Sequence, residues 1–178
     1  MMSTTLNQER LKSFIRDIPD FPKKGILFKD ITPLLKDPEA FHSAVSLLAE
    51  YFAGRGVEQV VGIESRGFIF AAAVAYKLKA GFIPVRKKGK LPSITENISY
   101  QLEYGEDILE IHRDSIEKGM RVLLIDNLLA TGGTASAVCE LVKKMGGHVA
   151  GIGFLVELSF LKGREKIKGY DLHALITF

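Results

Sequence analysis

Cysteine is almost missing from this chain: there is one, Cys139, among 178 residues, and there is no tryptophan. A lone thiol cannot close an intrachain disulfide, which fits a reducing compartment. No apolar run approaches the roughly 20 residues that a membrane-spanning helix requires. The opening residues, MMSTTLNQERLKSF, carry no apolar stretch of signal-peptide length. The expectation is a cytoplasmic chain with no membrane partner. An excess of one charge is also lacking, since 24 basic residues face 21 acidic ones for a formal net charge of +3. That balance gives no sign of a nucleic-acid partner, yet it suits an anionic ligand wherever basic side chains converge. The four histidines, His42, His112, His148 and His173, have no metal-ligand spacing, so no protein-bound metal is expected.

What is present is the material of an ordinary globular domain. The chain is 47% apolar and 25% charged, and its length suits one domain, residues 1–178, with a full core. Leu6 to Arg16 has the spacing of a short amphipathic helix. Pro19, Pro22, Gly25 and Pro33 predict irregular chain over 17–34. Asp37-Pro38 opens a helix carrying Phe41, Val45, Leu48 and Phe52, which Gly54 and Gly56 end. Apolar strands are then predicted at Gln59–Ile63, Phe82–Arg86, Arg121–Asp126, His148–Val156 and Leu172–Phe178. Helices are predicted at Gly67–Lys79 and Thr134–Met145. This alternation predicts an α/β fold, a mostly parallel central sheet flanked by helices on both faces. Between Arg86 and Gly119 the pattern breaks. A basic, polar stretch, Lys87–Glu96, leads to two short strands, Ser99–Tyr104 and Asp107–His112, around Gly105. Such an excursion reads as a flap over a site, at about 87–112.

The strongest chemical signal runs from Val122 to Ala135: Val-Leu-Leu-Ile-Asp-Asn-Leu-Leu-Ala-Thr-Gly-Gly-Thr-Ala. A buried strand ends in polar residues, and a Thr/Gly turn leads into a helix. Free amides at a helix N-terminus favour phosphate, and Gly132 and Gly133 let the backbone approach it closely. Thr131 and Thr134 add hydroxyls, and Asp126 can accept from a pair of sugar hydroxyls. A lone T-G-G-T would be a capped turn, but the full pattern is more specific. It is neither a Walker loop nor a dinucleotide fingerprint. A second strand-to-helix junction, Gly62-Ile63-Glu64-Ser65-Arg66-Gly67-Phe68, offers amides, a hydroxyl and a guanidinium to an anion. It is not a hydrolase elbow, because Ile63 stands where that elbow needs glycine.

The first of these stretches resembles the phosphoribosyl pyrophosphate (PRPP) motif of type I phosphoribosyltransferases. The resemblance implies that Asp126 contacts the ribose hydroxyls and that Ala130, Thr131, Gly132, Gly133 and Thr134 cradle the 5′-phosphate. Asn127 replaces the family's second acid: it can hydrogen-bond a hydroxyl but brings no charge. Glu64, Ser65, Arg66 and Gly67 resemble the pyrophosphate loop of adenine phosphoribosyltransferases, which puts Arg66 beside pyrophosphate or base. Phe21 to Leu34, Phe-Pro-Lys-Lys-Gly-Ile-Leu-Phe-Lys-Asp-Ile-Thr-Pro-Leu, resembles the N-terminal hood of the same family. On that likeness, backbone groups of Leu27 and Lys29 read the purine edge and Phe28 packs on its face. Lys24 departs from the proline usual there.

In the flap, Arg86, Lys87, Lys88 and Lys90 form a basic run that the family turns toward the polyphosphate, partly across a dimer interface. Leu102-Glu103-Tyr104-Gly105 matches the family's flap tip, with Glu103 the implied proton-transfer residue and Tyr104 the closing one. The matches continue through Leu155-Val156-Glu157-Leu158 and Lys162-Gly163-Arg164-Glu165-Lys166. The resemblance therefore implies a type I phosphoribosyltransferase fold with a hood at about 17–36 and a flexible flap hairpin. It implies adenine and PRPP as substrates, Mg2+ arriving with PRPP, and a homodimer. Two alternatives stay open at this point: a PRPP-sensing regulator of the same fold, and a transferase for another base.

Overall fold

The computed structural model describes residues 6–101 and 106–178. The chain opens with α1 (Gln8–Lys12), β1 (Arg16–Pro19), β2 (Leu27–Asp30), α2 (Thr32–Lys36) and α3 (Pro38–Phe52). Then follow β3 (Gln59–Ile63), α4 (Gly67–Leu78), β4 (Gly81–Lys87), β5 (Thr95–Gln101) and β6 (Glu106–His112). It closes with β7 (Arg121–Leu129), α5 (Gly133–Lys144), β8 (His148–Glu157), two 3₁₀ turns at Ser159–Leu161 and Gly163–Ile167, and β9 (Leu172–Thr177).

The seven-stranded sheet has the order β5-β6-β4-β3-β7-β8-β9. The five strands β4, β3, β7, β8 and β9 are mutually parallel; at one edge β6 pairs antiparallel with β4, and β5 pairs antiparallel with β6. Helices α3 and α4 cover one face, packing Leu48, Phe52 and Phe70 over Val60, Leu123 and Ile125. Helix α5 covers the other, placing Val138, Leu141 and Val142 over Val61, Leu124 and Phe154. Each alternate strand position feeds one of these two layers, as the pleat requires. The mostly parallel α/β sheet expected from the sequence is thus the fold. Among the described residues no helix is long and apolar enough to cross a membrane.

Two expectations need correction. Residues 17–34 are not irregular: β1 and β2 form an antiparallel hairpin, and α2 follows. The prolines and the glycine sit where these elements tolerate them. Pro19 ends β1, Pro22 and Gly25 (φ +89°) lie in the connecting turn, and Pro33 occupies the first turn of α2. The opening helix is also shorter than Leu6–Arg16. Asn7 caps it by accepting from the Arg10 amide (2.9 Å), the chain turns at Ser13, and Arg16 already pairs with Asp30 in β1. Elsewhere the boundaries shift by a few residues. β5 begins at Thr95 rather than Ser99, because the ladder to β6 extends to His112, and β7 continues past Asp126 to Leu129. The end of the expected strand at Tyr104 lies outside the described residues.

Candidate active site

In this sheet the chain leaves β3 through α4 toward β4 on one side, and leaves β7 through α5 toward β8 on the other. The order therefore reverses between β3 and β7, the place where open α/β sheets leave a crevice at their carboxyl ends. Both motif junctions sit there. A cleft of about 320 Å³ is lined by Glu64, Ser65 and Arg66 from one junction and by Asp126, Asn127, Ala130 and Thr134 from the other. The two are in direct contact at the floor: a Cβ added to Gly67 would lie 2.5 Å from Asp126 Oδ1. Glycine at the first residue of α4 is what lets the carboxylate lie there.

The β7–α5 junction is a backbone device. Ala130, Thr131, Gly132, Gly133 and Thr134 line a pocket of about 70 Å³, with Asp126 and Phe154 closing it. Gly132 caps α5 in the left-handed region (φ +78°), so the turn enters the helix with its amides free. Gly163 supports the turn from behind. A Cβ on Gly132 would overlap the carbonyl oxygen of Gly163, and one on Gly163 would overlap that of Ala130. The segment carrying Gly163 is held by Arg164, whose guanidinium makes a bidentate pair with buried Glu157 at 2.7 and 2.6 Å. The partial positive charge at the N-terminus of α5 and this shaped turn suit a phosphate monoester.

The β3–α4 junction is a side-chain device. Its Glu64–Ser65 peptide is cis. The Glu64 side chain is largely enclosed, and its carboxylate accepts from Lys90 Nζ (2.7 Å), the Lys87 amide (3.0 Å) and Arg86 Nε (3.3 Å). Burial alone would raise its pKa, but Lys90, the Lys87 amide and Arg86 outweigh it and hold the group down at about 2. Lys87 reaches Asp107 on β6 at 2.9 Å, and that carboxylate raises its pKa. Asp126 behaves in the opposite sense. Burial raises its carboxyl to about 7, against the lowering effects of the Asn127 amide (2.7 Å) and the charge on Arg66. One carboxylate in the cleft is therefore fixed as an anion, and the other is poised near neutrality.

Arg66 also joins the cleft to the hood, with its guanidinium 5.2 Å from the centroid of Phe28. Phe28 in turn meets Phe21 edge-on at 5.1 Å. The Lys29 ammonium is committed elsewhere, to Asp17 (2.7 Å) and over the ring of Phe178 (3.8 Å), and Leu27 is 50% exposed. In a two-stranded antiparallel ladder, alternate residues turn their amide and carbonyl away from the partner strand. β2 therefore has backbone groups available to a flat ligand.

The structure thus brings together Glu64, Ser65, Arg66, Lys87, Asp126, Asn127, Ala130 and Thr134 in one cleft. Arg86 and Lys90 are turned onto Glu64. Glu103 and Tyr104 lie outside the described residues. The sequence reading missed Tyr100 and Leu109 in the cleft wall and Gly163 behind the phosphate turn. Tyr100 had a signal, since it alternates with Ile98 along β5, both packing toward the core. Gly163 was marked only as part of the family match at Lys162–Lys166, and its place against Gly132 comes from the fold alone.

The phosphoribosyl transferase domain family matches residues 33–174. An adenine phosphoribosyltransferase of Acidobacterium capsulatum is 54% identical over 98% of this chain and 96% of its own length. One from Christiangramia forsetii is 59% identical over 94% of this chain and 98% of its own. Among solved structures, the adenine phosphoribosyltransferase of Thermoanaerobacter pseudethanolicus is 53% identical with a TM-score of 0.94, covering 97% of this chain and 100% of that one. The Saccharomyces cerevisiae enzyme, complexed with an imino-altritol bisphosphate and adenine, is 38% identical with a TM-score of 0.89 over 94% and 97% of the two chains.

Proposed function

From the premise that this chain belongs to the phosphoribosyl transferase family, we propose that it converts adenine and PRPP to AMP and pyrophosphate, a purine-salvage reaction. The observation that carries this reading is the single cleft shared by Glu64–Arg66 and Asp126–Thr134. One phosphorylated sugar can reach both.

In this reading the amides of Ala130–Thr134 hold the 5′-phosphate at the start of α5. Asp126 accepts from the ribose hydroxyls, and Asn127 offers a neutral partner beside it. Arg66, Arg86, Lys87 and Lys90 meet the pyrophosphate. Backbone groups of Leu27 and Lys29 read the purine edge, and Phe28 packs on its face. Holding base and sugar together removes much of the entropic barrier. The bond from C1 of the ribose to pyrophosphate breaks, with the electron pair leaving on oxygen, as the purine nitrogen bonds to C1 and gives up its proton. Asp126, when ionised, stabilises the positive charge that develops on the sugar. Glu103 takes part in the proton transfer, and Tyr104 covers the site. Magnesium would arrive with PRPP as part of the substrate and would supply charge neutralisation for the pyrophosphate leaving group. Asp126 and Asn127 line the cleft, and their side chains carry oxygen donors of the kind such a hard cation would take.

The reading extends to a cytoplasmic homodimer. Ile69 and Tyr76, seven positions apart on α4, and Phe82 on β4 are exposed apolar side chains in support of a covered face. Sedimentation of the purified chain checks the dimer. For the reaction, purified protein is given labelled adenine, PRPP and magnesium, with hypoxanthine, xanthine and orotate as competitors. AMP should form and the other bases should compete weakly. Absence of AMP overturns the reading, and equal competition by another base overturns the substrate.

A further inference from the structure

Glu64 is unusual among the cleft residues. It is an acid in a site whose proposed ligand is itself an anion, and it is held ionised by the cations meant for that ligand. Its carboxylate side chain is 9% exposed, and it lies between Lys90 Nζ on one oxygen and Arg86 Nε with the Lys87 amide on the other. Arg86 spends a second donor, Nη1, on the carbonyl of Lys90 at 2.9 Å. Two of its five N–H donors, one of them the Nε of its side-on fork, are thus engaged within the protein. An Arg that grips phosphate does so by presenting that fork.

We propose that Glu64 is a resident anion that gathers Arg86 and Lys90 in the ligand-free cleft and competes with pyrophosphate for them, so that it promotes product release. The proposal rests on the transferase reading above and assigns Glu64 a positioning role within it. Two effects oppose each other. Glu64 keeps two long cations near the cleft, where like charges would otherwise separate them, and this favours binding. It also places a fixed negative charge beside a ligand of several negative charges and occupies the Arg86 Nε, and this opposes binding. The second effect wins, because pyrophosphate can gather the cations for itself but cannot remove the repulsion.

The test is calorimetric titration of inorganic pyrophosphate into wild-type protein and Glu64→Gln at fixed ionic strength, followed by steady-state kinetics with PRPP. Glu64→Gln should bind pyrophosphate about fivefold or more tightly and lower both KM for PRPP and kcat, as expected when release of product limits turnover. A merely structural role would raise KM. The gain should shrink in a Lys90→Met background, where one contested cation is gone. Glu64→Asp keeps the charge but shortens the reach to Lys90, and should bind about twofold more tightly. It serves as the readout if the Gln variant does not fold. Equal or weaker binding by the folded variant overturns the proposal alone. Failure of wild-type protein to bind pyrophosphate overturns both the proposal and the transferase reading.

Discussion

The two strand-to-helix junctions share a cleft and handle negative charge by different physics. At β7–α5 the receiving groups are backbone amides fixed by a glycine turn, and a second glycine, Gly163, supports them. At β3–α4 they are long cationic side chains gathered on a carboxylate. The first arrangement is rigid and carries only the partial charge of a helix end, which suits a phosphate that stays attached to the sugar from substrate to product. The second is made of movable full charges, which suits a group that must be bound, charged further and then released. Between them lies Asp126, touching Gly67 of one junction and closing the pocket of the other.

The largest effect should come from this shared residue. Asp126→Asn should reduce kcat/KM by about 100-fold, the scale expected when a group that stabilises transition-state charge is lost. Its ionisation also sets a pH signature. The folded pKa of about 7 lies above the ordinary value of 3.8, so between those limits the folded state binds a proton that the unfolded state has released. The contribution of Asp126 to stability should therefore fall as pH rises from about 4 to 7, so wild-type stability should decline over this range relative to Asp126→Asn. Thermal melts of both proteins across this range check it. Parallel curves would mean that Asp126 ionises like an ordinary surface acid.

Next in size is Gly163→Ala. Its methyl group would press on the carbonyl of Ala130 and displace the phosphate turn, at a cost of about 1–3 kcal/mol in stability and about tenfold in KM for PRPP. An unchanged KM would show that the amides need no support from behind. Salt separates the junctions directly. Raising salt from about 0.05 to 0.5 M should weaken pyrophosphate binding by roughly tenfold and ribose 5-phosphate binding by roughly threefold, since full surface charges are screened more than fixed amides. Equal slopes would erase the distinction between the two sites.

How much of this was legible beforehand follows the same division. The strand ends and glycine turns at Ile63–Gly67 and Asp126–Thr134 are local patterns, so the junctions, the helices after them and the parallel sheet could be read from the chain. The capping role of Asp37, which accepts from the amides of Glu39 (3.1 Å) and Ala40 (2.8 Å), was legible for the same reason. The hood was misread as irregular, because Pro19, Pro22 and Pro33 break a helix or a central ladder but fit the ends and turn of a two-stranded hairpin. The grip of Glu64 on Arg86 and Lys90 joins residues more than twenty positions apart, at and beyond the ends of the neighbouring strands β3 and β4. No spacing rule finds such a contact. The likeness to known phosphate loops identified Glu64 as a site residue without saying what its carboxylate does.

The smallest predicted effect concerns Asn127, and it tests whether the rigid junction tolerates more charge. Asn127 is 7% exposed, follows Asp126 directly and lines the cleft. Asn127→Asp adds an acid beside one already pushed to about 7. Two adjacent carboxylates raise each other's pKa, so at pH 6.5 the pair should hold a proton and bring little new charge. Above that range both ionise, and the second charge can strengthen a hydrogen bond to the sugar by about 1 kcal/mol, or roughly fivefold in kcat/KM. The expected outcome is a gain at pH 8.5 that fades by pH 6.5, measured as a pH profile of kcat/KM for PRPP in both proteins. A gain that is uniform with pH would place the new carboxylate out of reach of Asp126. Identical profiles would show that this position reads a hydroxyl by shape and hydrogen bonding alone, which would bring the whole β7–α5 junction, Asp126 apart, under the rule of neutral backbone recognition.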